Sequence, residues 1–325
     1  MTGKVTIKDV AKAAGVSEAT VSRALTHSPR VKRNTRQKIQ NIANNLGYHP
    51  NGLARSIRLQ HTHTLGVIIP DILNAFFTKL SRAIEDAADK AGYDVVLVNT
   101  DESLAKEANA LSLLLEKQVD GIIITSAGGP TKYTDILGNT PAVFVDRMPP
   151  VTGQLAYDRV LVDNIQGTRT VVTELIHQGA QRIGIINSAV SFTATERMTG
   201  YREALTQAGF EPDAAIEATA RTDNSNVQQM TRQLLVNQKC DGLFVADNTI
   251  MEEVLRKLPA LDLPPIHLGG FDDQDWFDFL PQPIVTARQP IAQLGQTAID
   301  RLLAKIDDPD LLPEEIRLAA TTISR

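Results

Sequence analysis

The first fifty residues of the chain repeat apolar side chains at helical spacing, in three short segments separated by polar turns. This periodicity predicts helices over 7–14, 18–25 and about 32–46. The apolar positions that would face inward are Ile7, Val10, Ala11, Ala14, Val16, Val21, Leu25, Ile39, Ile42, Ala43 and Leu46. Three short helices that share one apolar interior predict a small all-α domain.

Polar residues and glycines mark the ends of these helices. Thr6 and Asp9 have the spacing of a capping box, in which the hydroxyl accepts from a free amide at the helix start. Gly15 suits the left-handed backbone that a tight turn between two helices requires. Gly47 ends the third helix, and Pro50 prevents its continuation. The first two helices therefore have the arrangement of a helix-turn-helix motif.

From residue 65 onward, short apolar strands alternate with amphipathic helices. The strand candidates are 65–69, 94–98, 121–124, 142–145, 182–186, 242–245, 266–268 and 284–286. The helix candidates are 76–91, 104–118, 165–178, 196–208, 227–236, 250–257 and 291–305. Such alternation predicts parallel sheets with both faces covered, and the two series of strands predict two doubly wound subdomains. In folds of this kind, ligands bind beyond the carboxyl ends of the strands.

Charge divides the chain sharply. Residues 1–60 hold eleven Lys or Arg against two acidic residues, whereas the remainder of the chain has a net charge of −14. A basic module fused to an acidic body indicates a polyanion partner for the module alone. The single cysteine, Cys240, excludes a disulfide framework, and we expect it to pack in or near the core. No export signal precedes Thr6 and no apolar run approaches the roughly 18 residues of a membrane span, so we expect a cytoplasmic protein.

A helix-turn-helix places the start of its second helix in the major groove of DNA. Glu18, Ala19 and Arg23 are suited there to read base edges, by accepting from cytosine, touching a thymine methyl and pairing with guanine. Polar side chains nearby are suited to the phosphate backbone instead. The candidates for backbone contacts are Thr6, Ser17, Thr20, Ser22, Asn34 and Tyr48.

Residues 6–25, together with the stretches 46–51 and 54–56, resemble the lactose/galactose repressor (LacI/GalR) family of bacterial regulators. The resemblance extends over essentially the whole chain. It implies an all-α helix-turn-helix head with a hinge helix, joined to an α/β periplasmic-binding-protein-like body of two doubly wound subdomains. It also implies a homodimer on double-stranded palindromic operator DNA, with a tetramer left open, and a small carbohydrate-type effector.

The resemblance implies a hinge that becomes helical on operator DNA and enters the minor groove. The matching residues are Asn51, Ala54, Arg55, Ser56, Ile57 and Arg58. The family usually has a leucine wedge at the position of Ile57, and isoleucine is also a large apolar wedge. A second departure is Lys32, which stands where the family has a capping serine and cannot accept from an amide. The helix would lose about 1 kcal/mol of capping there, or start later at Asn34.

The implied domain boundaries are 1–49 for the DNA-binding head, 50–63 for the hinge and linker, and 64–325 for the effector-binding and dimerisation domain. Within that domain, an N-subdomain would comprise about 64–162 and 290–320. A C-subdomain would comprise about 163–289 and 321–325.

The resemblance places effector-binding groups at strand ends of the body. The candidates are Phe76, Phe77, Asp146, Arg147, Arg197, Asp247, Asp272 and Trp276. Helix core is the competing interpretation for the two phenylalanines, and simple packing for the tryptophan. Two arginines suit a carboxylate or phosphate by bidentate pairing, which favours a sugar acid or sugar phosphate over a neutral sugar.

No pattern of catalytic residues emerges from the sequence. It has no phosphate-binding loop, no nucleophile motif and no clustered metal ligands, and His61 and His63 fall in the linker. We therefore expect no enzyme activity, no cofactor and no metal. The function predicted is a repressor of carbohydrate-catabolism genes, switched by an effector of either sign, inducer or corepressor. The rival hypothesis is a sugar-binding protein or sugar-modifying enzyme with an incidental basic head.

Overall fold

The computed structural model describes residues 5–25, 29–48, 61–129, 131–148, 155–189, 192–211, 213–221 and 223–325. The chain forms two compact units that divide between Thr62 and His63. The six predicted hinge residues from Asn51 to Arg58 lie outside the described residues, so their roles stay predictions.

The first unit is a three-helix head. Its helices are α1 (Ile7–Ala14), α2 (Glu18–Leu25) and α3 (Arg33–Asn45). They enclose a core of Val10, Ala11, Ala14, Val21, Ala24, Val31, Ile39 and Ala43. Gly15 has a φ of 70°, as the turn requires. The Asp9 carboxylate accepts from the Thr6 amide at 2.8 Å and from the Thr6 hydroxyl at 2.7 Å.

The start of α3 departs from the usual cap. Lys32 occupies the N-cap position and its side chain makes no capping hydrogen bond. The helix nevertheless begins at Arg33, so the alternative of a later start at Asn34 was wrong. Leu46 was also wrongly assigned to the core: it follows the last helical residue and is exposed.

The second unit, the body, contains two six-stranded sheets. The first sheet holds β1 (Thr64–Ile69), β2 (Asp94–Asn99), β3 (Gly121–Ile124), β4 (Ala142–Val145), β5 (Asp158–Val162) and β11 (Glu315–Leu318). The second holds β6 (Ile183–Ser188), β7 (Glu217–Ala220), β8 (Gly242–Val245), β9 (His267–Phe271), β10 (Ile284–Arg288) and β12 (Thr321–Ser324). Their orders are β11-β5-β4-β3-β1-β2 and β12-β10-β9-β8-β6-β7. All neighbouring strands are parallel except β10 and β12.

Helices cover the sheets, as parallel strands require. They are α4 (Ala75–Lys90), α5 (Leu104–Glu116), α6 (Tyr133–Leu137), α7 (Asn164–His177), α8 (Phe192–Gln207), α9 (Val227–Arg232), α10 (Asn248–Lys257) and α11 (Ile291–Asp307). A π-helical turn, Gln233–Asn237, extends α9. Side-chain oxygens of Asn74, Ser103, Asp163 and Asp247 cap four of these helices. The predicted fold class is thereby confirmed for the helical head and the two α/β subdomains.

Short segments carry the chain from one sheet to the other. Only Asp163 lies between β5 of the first sheet and α7, which packs on the second. Gln289 and Pro290 lie between β10 of the second sheet and α11, which packs on the first. Two residues, 319 and 320, separate β11 from β12. Each crossing is therefore almost fully constrained by its flanking elements.

Four strands were not predicted from the sequence: β5, β7, β11 and β12. They begin with charged residues, as in Asp158-Arg159, or lie at sheet edges with few large apolar residues, as in Glu217–Ala220. Tertiary pairing, rather than an apolar run, stabilises these strands. Within the described ranges, no helix is both long and apolar enough to span a membrane.

Candidate functional site

Two aspartates end equivalent strands of the two sheets. Asp146 follows β4 and Asp272 follows β9, and each of these strands is fourth from the edge that β2 or β7 forms. Both residues are buried and both are left-handed, with φ of 63° and 72°. A non-glycine residue with a left-handed backbone carries a small conformational strain, and such residues cluster at functional sites. The amide of Asp146 donates to the Val160 carbonyl at 3.0 Å, and this backbone bond helps to hold the conformation.

The two carboxylates share one electrostatic environment. Burial raises the pKa of Asp146 to about 6, although Arg147 and Arg197 act to lower it. Burial also raises the pKa of Asp272, and again Arg197 opposes the rise. The negative charge of Asp272 raises the pKa of Asp146 further. Two carboxylates held in low dielectric are a costly arrangement for stability, as functional sites often are.

Arg197 projects from α8, and its guanidinium is held by hydrogen bonds and by an aromatic ring. Its Nε donates to the Asn164 side-chain oxygen at 3.0 Å, and its Nη1 donates to the Ala246 carbonyl at 2.6 Å. The guanidinium lies 3.8 Å from the centre of the Phe271 ring, in the position of a cation–π contact. Asn164 in turn donates to Glu196, which pairs with Arg317 on β11. The arginine is thus fixed by both sheets of the body.

Arg147 is held in a comparable way on the first sheet. Its Nη1 donates to both carboxylate oxygens of Glu102, at 2.7 and 2.9 Å. Its guanidinium lies 5.1 Å from the centre of the Phe77 ring. The Nε is 3.7 Å from the Asp146 carboxylate. Burial lowers the pKa of Arg147, but the charges of Glu102 and Asp146 outweigh that effect and the pKa is raised.

Several buried polar atoms around these groups are unpaired. Within the described part of the chain, Arg147 Nε, Asn248 Oδ1 and Gln289 Oε1 have no hydrogen-bond partner. The amide nitrogen of Asn248 donates to Asn74 at 2.9 Å, and that of Gln289 donates to Asp272. Buried polar atoms without partners cost free energy. One donor and two acceptors are therefore available for a bound polar molecule.

The remaining predicted effector residues lie in three different settings. Phe76 and Phe77 are buried in the core, and only Phe77 is in contact with an arginine of the site. Asp247 caps α10 by accepting from the amides of Thr249 and Ile250, while its charge still acts on Arg147 and Asp272. Trp276 is 39 % exposed and lines a shallow depression with Glu252, Leu255, Arg256 and Leu280. Asp146, Arg147, Arg197 and Asp272 are the predicted residues that the fold brings together.

Sequence reasoning missed several partners of these residues. Glu102, Asn164 and Gln289 hydrogen-bond to Arg147, Arg197 and Asp272, and Asn248 follows Asp247 and hydrogen-bonds to Asn74. Glu102 follows β2, Asn164 follows β5 and Gln289 follows β10, so each lies just beyond the carboxyl end of a strand. That position was the available signal, and it could have been applied to every strand end.

The head presents a separate candidate surface on α2. Glu18, Ala19 and Arg23 are exposed, as a role in base readout requires. Ser17 caps α2, since its hydroxyl accepts from the Thr20 amide at 3.2 Å and pairs with the Thr20 hydroxyl at 2.9 Å.

The other predicted phosphate contacts of the head differ in exposure. Ser22 and Tyr48 are half-buried, Tyr48 against the core, while Thr6 and Asn34 are exposed. Their contacts to DNA remain predictions. Among the residues that the structure describes, no group of three or more His, Cys, Asp or Glu side chains could hold a metal ion.

A helix-turn-helix head and a body of two like-ordered parallel sheets, with buried charged groups at the strand ends, together define a ligand-responsive transcriptional regulator. Comparison with known families agrees. Residues 6–51 match the bacterial regulatory proteins of the lacI family, and residues 62–322 match the periplasmic binding proteins and sugar binding domain of the LacI family. The chain belongs to the LacI family of transcriptional regulators, which are not enzymes.

Known relatives span the whole chain. It is 33 % identical over 335 residues to the ribose operon repressor of Bacillus subtilis strain 168, covering 98 % of this chain and 97 % of that protein. It is 32 % identical over 319 residues to catabolite control protein A of Priestia megaterium, covering 96 % and 95 %. Among solved structures, the lac repressor dimer bound to operator and the anti-inducer ONPF gives a TM-score of 0.84 at 26 % identity, covering 99 % of this chain and 98 % of that one. The protein is thus a DNA-binding transcriptional regulator with the effector domain of the LacI family.

Proposed function

We propose that this repressor is switched by a neutral sugar bound at the cluster of Asp146, Arg147, Arg197 and Asp272. The observation that carries the proposal is the pair of buried aspartates at equivalent strand ends, surrounded by unpaired polar atoms. Sugar hydroxyls donate well to carboxylates, and such charge-assisted bonds are about twice as strong as neutral ones. The ribose operon repressors among the relatives support a monosaccharide as ligand.

The charge balance favours a neutral ligand over the sugar acid or phosphate that the sequence favoured. Arg147 is already paired with Glu102, and Arg197 is held by an amide oxygen, a carbonyl and an aromatic ring. Four carboxylates, those of Glu102, Asp146, Asp247 and Asp272, act electrostatically on this cluster of two arginines. An anionic ligand would enter a site whose positive charge is already offset, and its own desolvation would not be compensated.

On DNA, we propose that α2 reads the operator through Glu18, Ala19 and Arg23, and that Ile57 wedges its central base step. Two heads of a homodimer would read the two halves of a palindrome. The sugar changes operator affinity only by its different affinity for the two states of the protein. Measuring the affinity for the sugar with and without operator DNA gives this difference. Its sign shows whether the sugar is an inducer or a corepressor.

Binding of sugars tests the effector assignment directly. Isothermal titration with D-ribose, D-glucose and D-galactose, and with ribose 5-phosphate, glucose 6-phosphate and galactonate, compares matched neutral and anionic ligands. We expect a neutral sugar to bind most tightly and to change the affinity for a palindromic operator in a gel-shift titration. Tighter binding of every anionic member than of its neutral counterpart would refute the neutral assignment.

DNA binding is tested by the same gel shifts as a function of salt. Specific binding should weaken steeply between 50 and 200 mM salt, because phosphate contacts release counterions. Ile57→Ala should weaken operator binding by at least tenfold, since it removes the proposed apolar wedge, and should leave sugar affinity unchanged. Equal loss of both affinities would contradict the wedge assignment. Indifference to duplex DNA at low salt would refute the proposed operator contacts of α2 and Ile57.

A further inference from the structure

Within the described part of the chain, Glu102 is the acidic side chain that makes two hydrogen-bond contacts to Arg147. Its two oxygens lie 2.7 and 2.9 Å from Arg147 Nη1. The side chains are 22 % and 10 % exposed, so the pair is shielded from solvent. A shielded ion pair of this kind offsets the charge of the arginine far more than a surface pair does.

The backbone presets Glu102 for this contact. The residue is left-handed, with φ of 55°, and its amide donates to the Pro70 carbonyl at 2.9 Å. Ser103, the next residue, caps α5 by accepting from the Lys106 amide. Glu102 thus lies beside the positive end of a 13-residue helix, where a carboxylate is favoured. Its position is therefore a built feature of the loop and not the chance placement of a long side chain.

Arg147 would bind anions in the absence of this partner. A guanidinium has five donors in a planar fork, which suits carboxylate and phosphate groups. Here Glu102 accepts from Nη1, and the buried Nε makes no hydrogen bond, although it lies within ion-pair distance of Asp146. The guanidinium also lies against the ring of Phe77.

We propose that Glu102 sets the charge selectivity of the effector site: by pairing with Arg147 it excludes anionic sugars, and its removal admits them. The inference rests on the proposed binding of a neutral sugar at this cluster and names the residue that enforces it. Asp146 is 3.7 Å from the Arg147 Nε and would keep the guanidinium partly paired after the change. Loss of Glu102 therefore leaves no fully unpaired buried charge.

The test is the gain of anion binding by Glu102→Gln in the full-length protein. Isothermal titration at constant ionic strength uses inorganic phosphate and ribose 5-phosphate as anionic probes and D-ribose as the neutral one. Glu102→Gln should bind the anionic probes at least tenfold more tightly than the unaltered protein does. Glu116→Gln makes the same charge change at the exposed far end of α5 and should leave the affinities unchanged.

Two further variants make the result specific. Glu102→Ala, measured in parallel, should show the same gain, so the test survives if one variant folds poorly. The double variant Glu102→Gln with Arg147→Gln should lose the gain, because the freed guanidinium is its source. Anion affinities within twofold of the unaltered protein in both single variants would overturn the proposal, as would a gain that persists without Arg147.

The outcome is separable from that of the proposed function. If no neutral sugar binds the unaltered protein but Glu102→Gln gains phosphate affinity, the neutral assignment fails and the role of Glu102 stands. If D-ribose or another neutral sugar binds and the variants gain nothing, the reverse holds.

Discussion

Asp146→Asn should stabilise the protein while impairing its response to the effector. Burial raises the pKa of Asp146 from its ordinary value of 3.8 to about 6, so the folded protein disfavours the charged form. A pKa difference of that size corresponds to about 3 kcal/mol, and Asn imitates the neutral acid without titrating. The charged aspartate costs no stability below about pH 4. The cost grows between about pH 4 and pH 6 and is complete above about pH 6. The variant should therefore gain up to about 3 kcal/mol at pH 8 and almost nothing at pH 4.

Urea unfolding at pH 8, pH 6 and pH 4 measures this difference. Trp276 is the only tryptophan and lies in the body, so its fluorescence reports the unit that contains Asp146. Both proteins are compared at one concentration. Asp89→Asn removes a charge from an exposed position at the end of α4 and serves as the control, with an expected change within about 0.5 kcal/mol.

Ligand binding supplies the second readout for Asp146→Asn. Loss of a charge-assisted hydrogen bond to a hydroxyl costs about 1.5–3 kcal/mol, or roughly tenfold to a hundredfold in affinity. A variant that is less stable than the unaltered protein at pH 8 would show that the carboxylate stabilises the empty site, and the electrostatic reasoning above would be wrong. Unchanged sugar affinity would remove Asp146 from the binding site.

Two structural predictions concern helix ends and close packing. Lys32→Ser should stabilise the head by about 1 kcal/mol by restoring an N-cap acceptor, seen as slower hydrogen exchange in α3; Lys38→Ser, inside the same helix, should not protect it. Gly200→Ala should destabilise the body by about 2–3 kcal/mol, because the added Cβ would lie 2.3 Å from the Ile165 carbonyl oxygen. Thr199→Ala on the exposed face is its control in urea unfolding, and equal stability of the two variants would contradict the close approach of α7 and α8.

The sequence allowed prediction of those parts of the site that local pattern specifies. Asp146 and Asp272 follow apolar strands, and the carboxyl ends of parallel strands meet at one edge, so their convergence could be foreseen. The partner of Arg147 could not, because Glu102 lies 45 residues away in a turn with no distinctive composition. The charge balance of the site depends on such long-range pairs. For this reason the sequence favoured an anionic ligand, whereas the proposal argued from these pairs is a neutral one.

The same limit applies to the fold. Helices with capping residues and strands with continuous apolar runs were predicted with nearly correct bounds, as for β3, β4 and β8. Strand β11 was missed because its stability derives from pairing with β5, about 155 residues earlier in the chain. The N-cap at Lys32 shows the converse, since α3 forms without its cap where tertiary packing of Ile39 and Ala43 suffices.

The three crossings between the sheets have a mechanical consequence. The chain from Leu318 to Thr321 spans at most about 11 Å, and the other two crossings are as short or shorter. Three such short crossings keep the two sheets from separating along the chain, whichever way the subdomains move. Two of them begin or end at residues that hold the site, since Gln289 donates to Asp272 and Asn164 accepts from Arg197. A ligand that contacts Asp272 or Arg197 is therefore one hydrogen bond away from two of the segments that join the sheets.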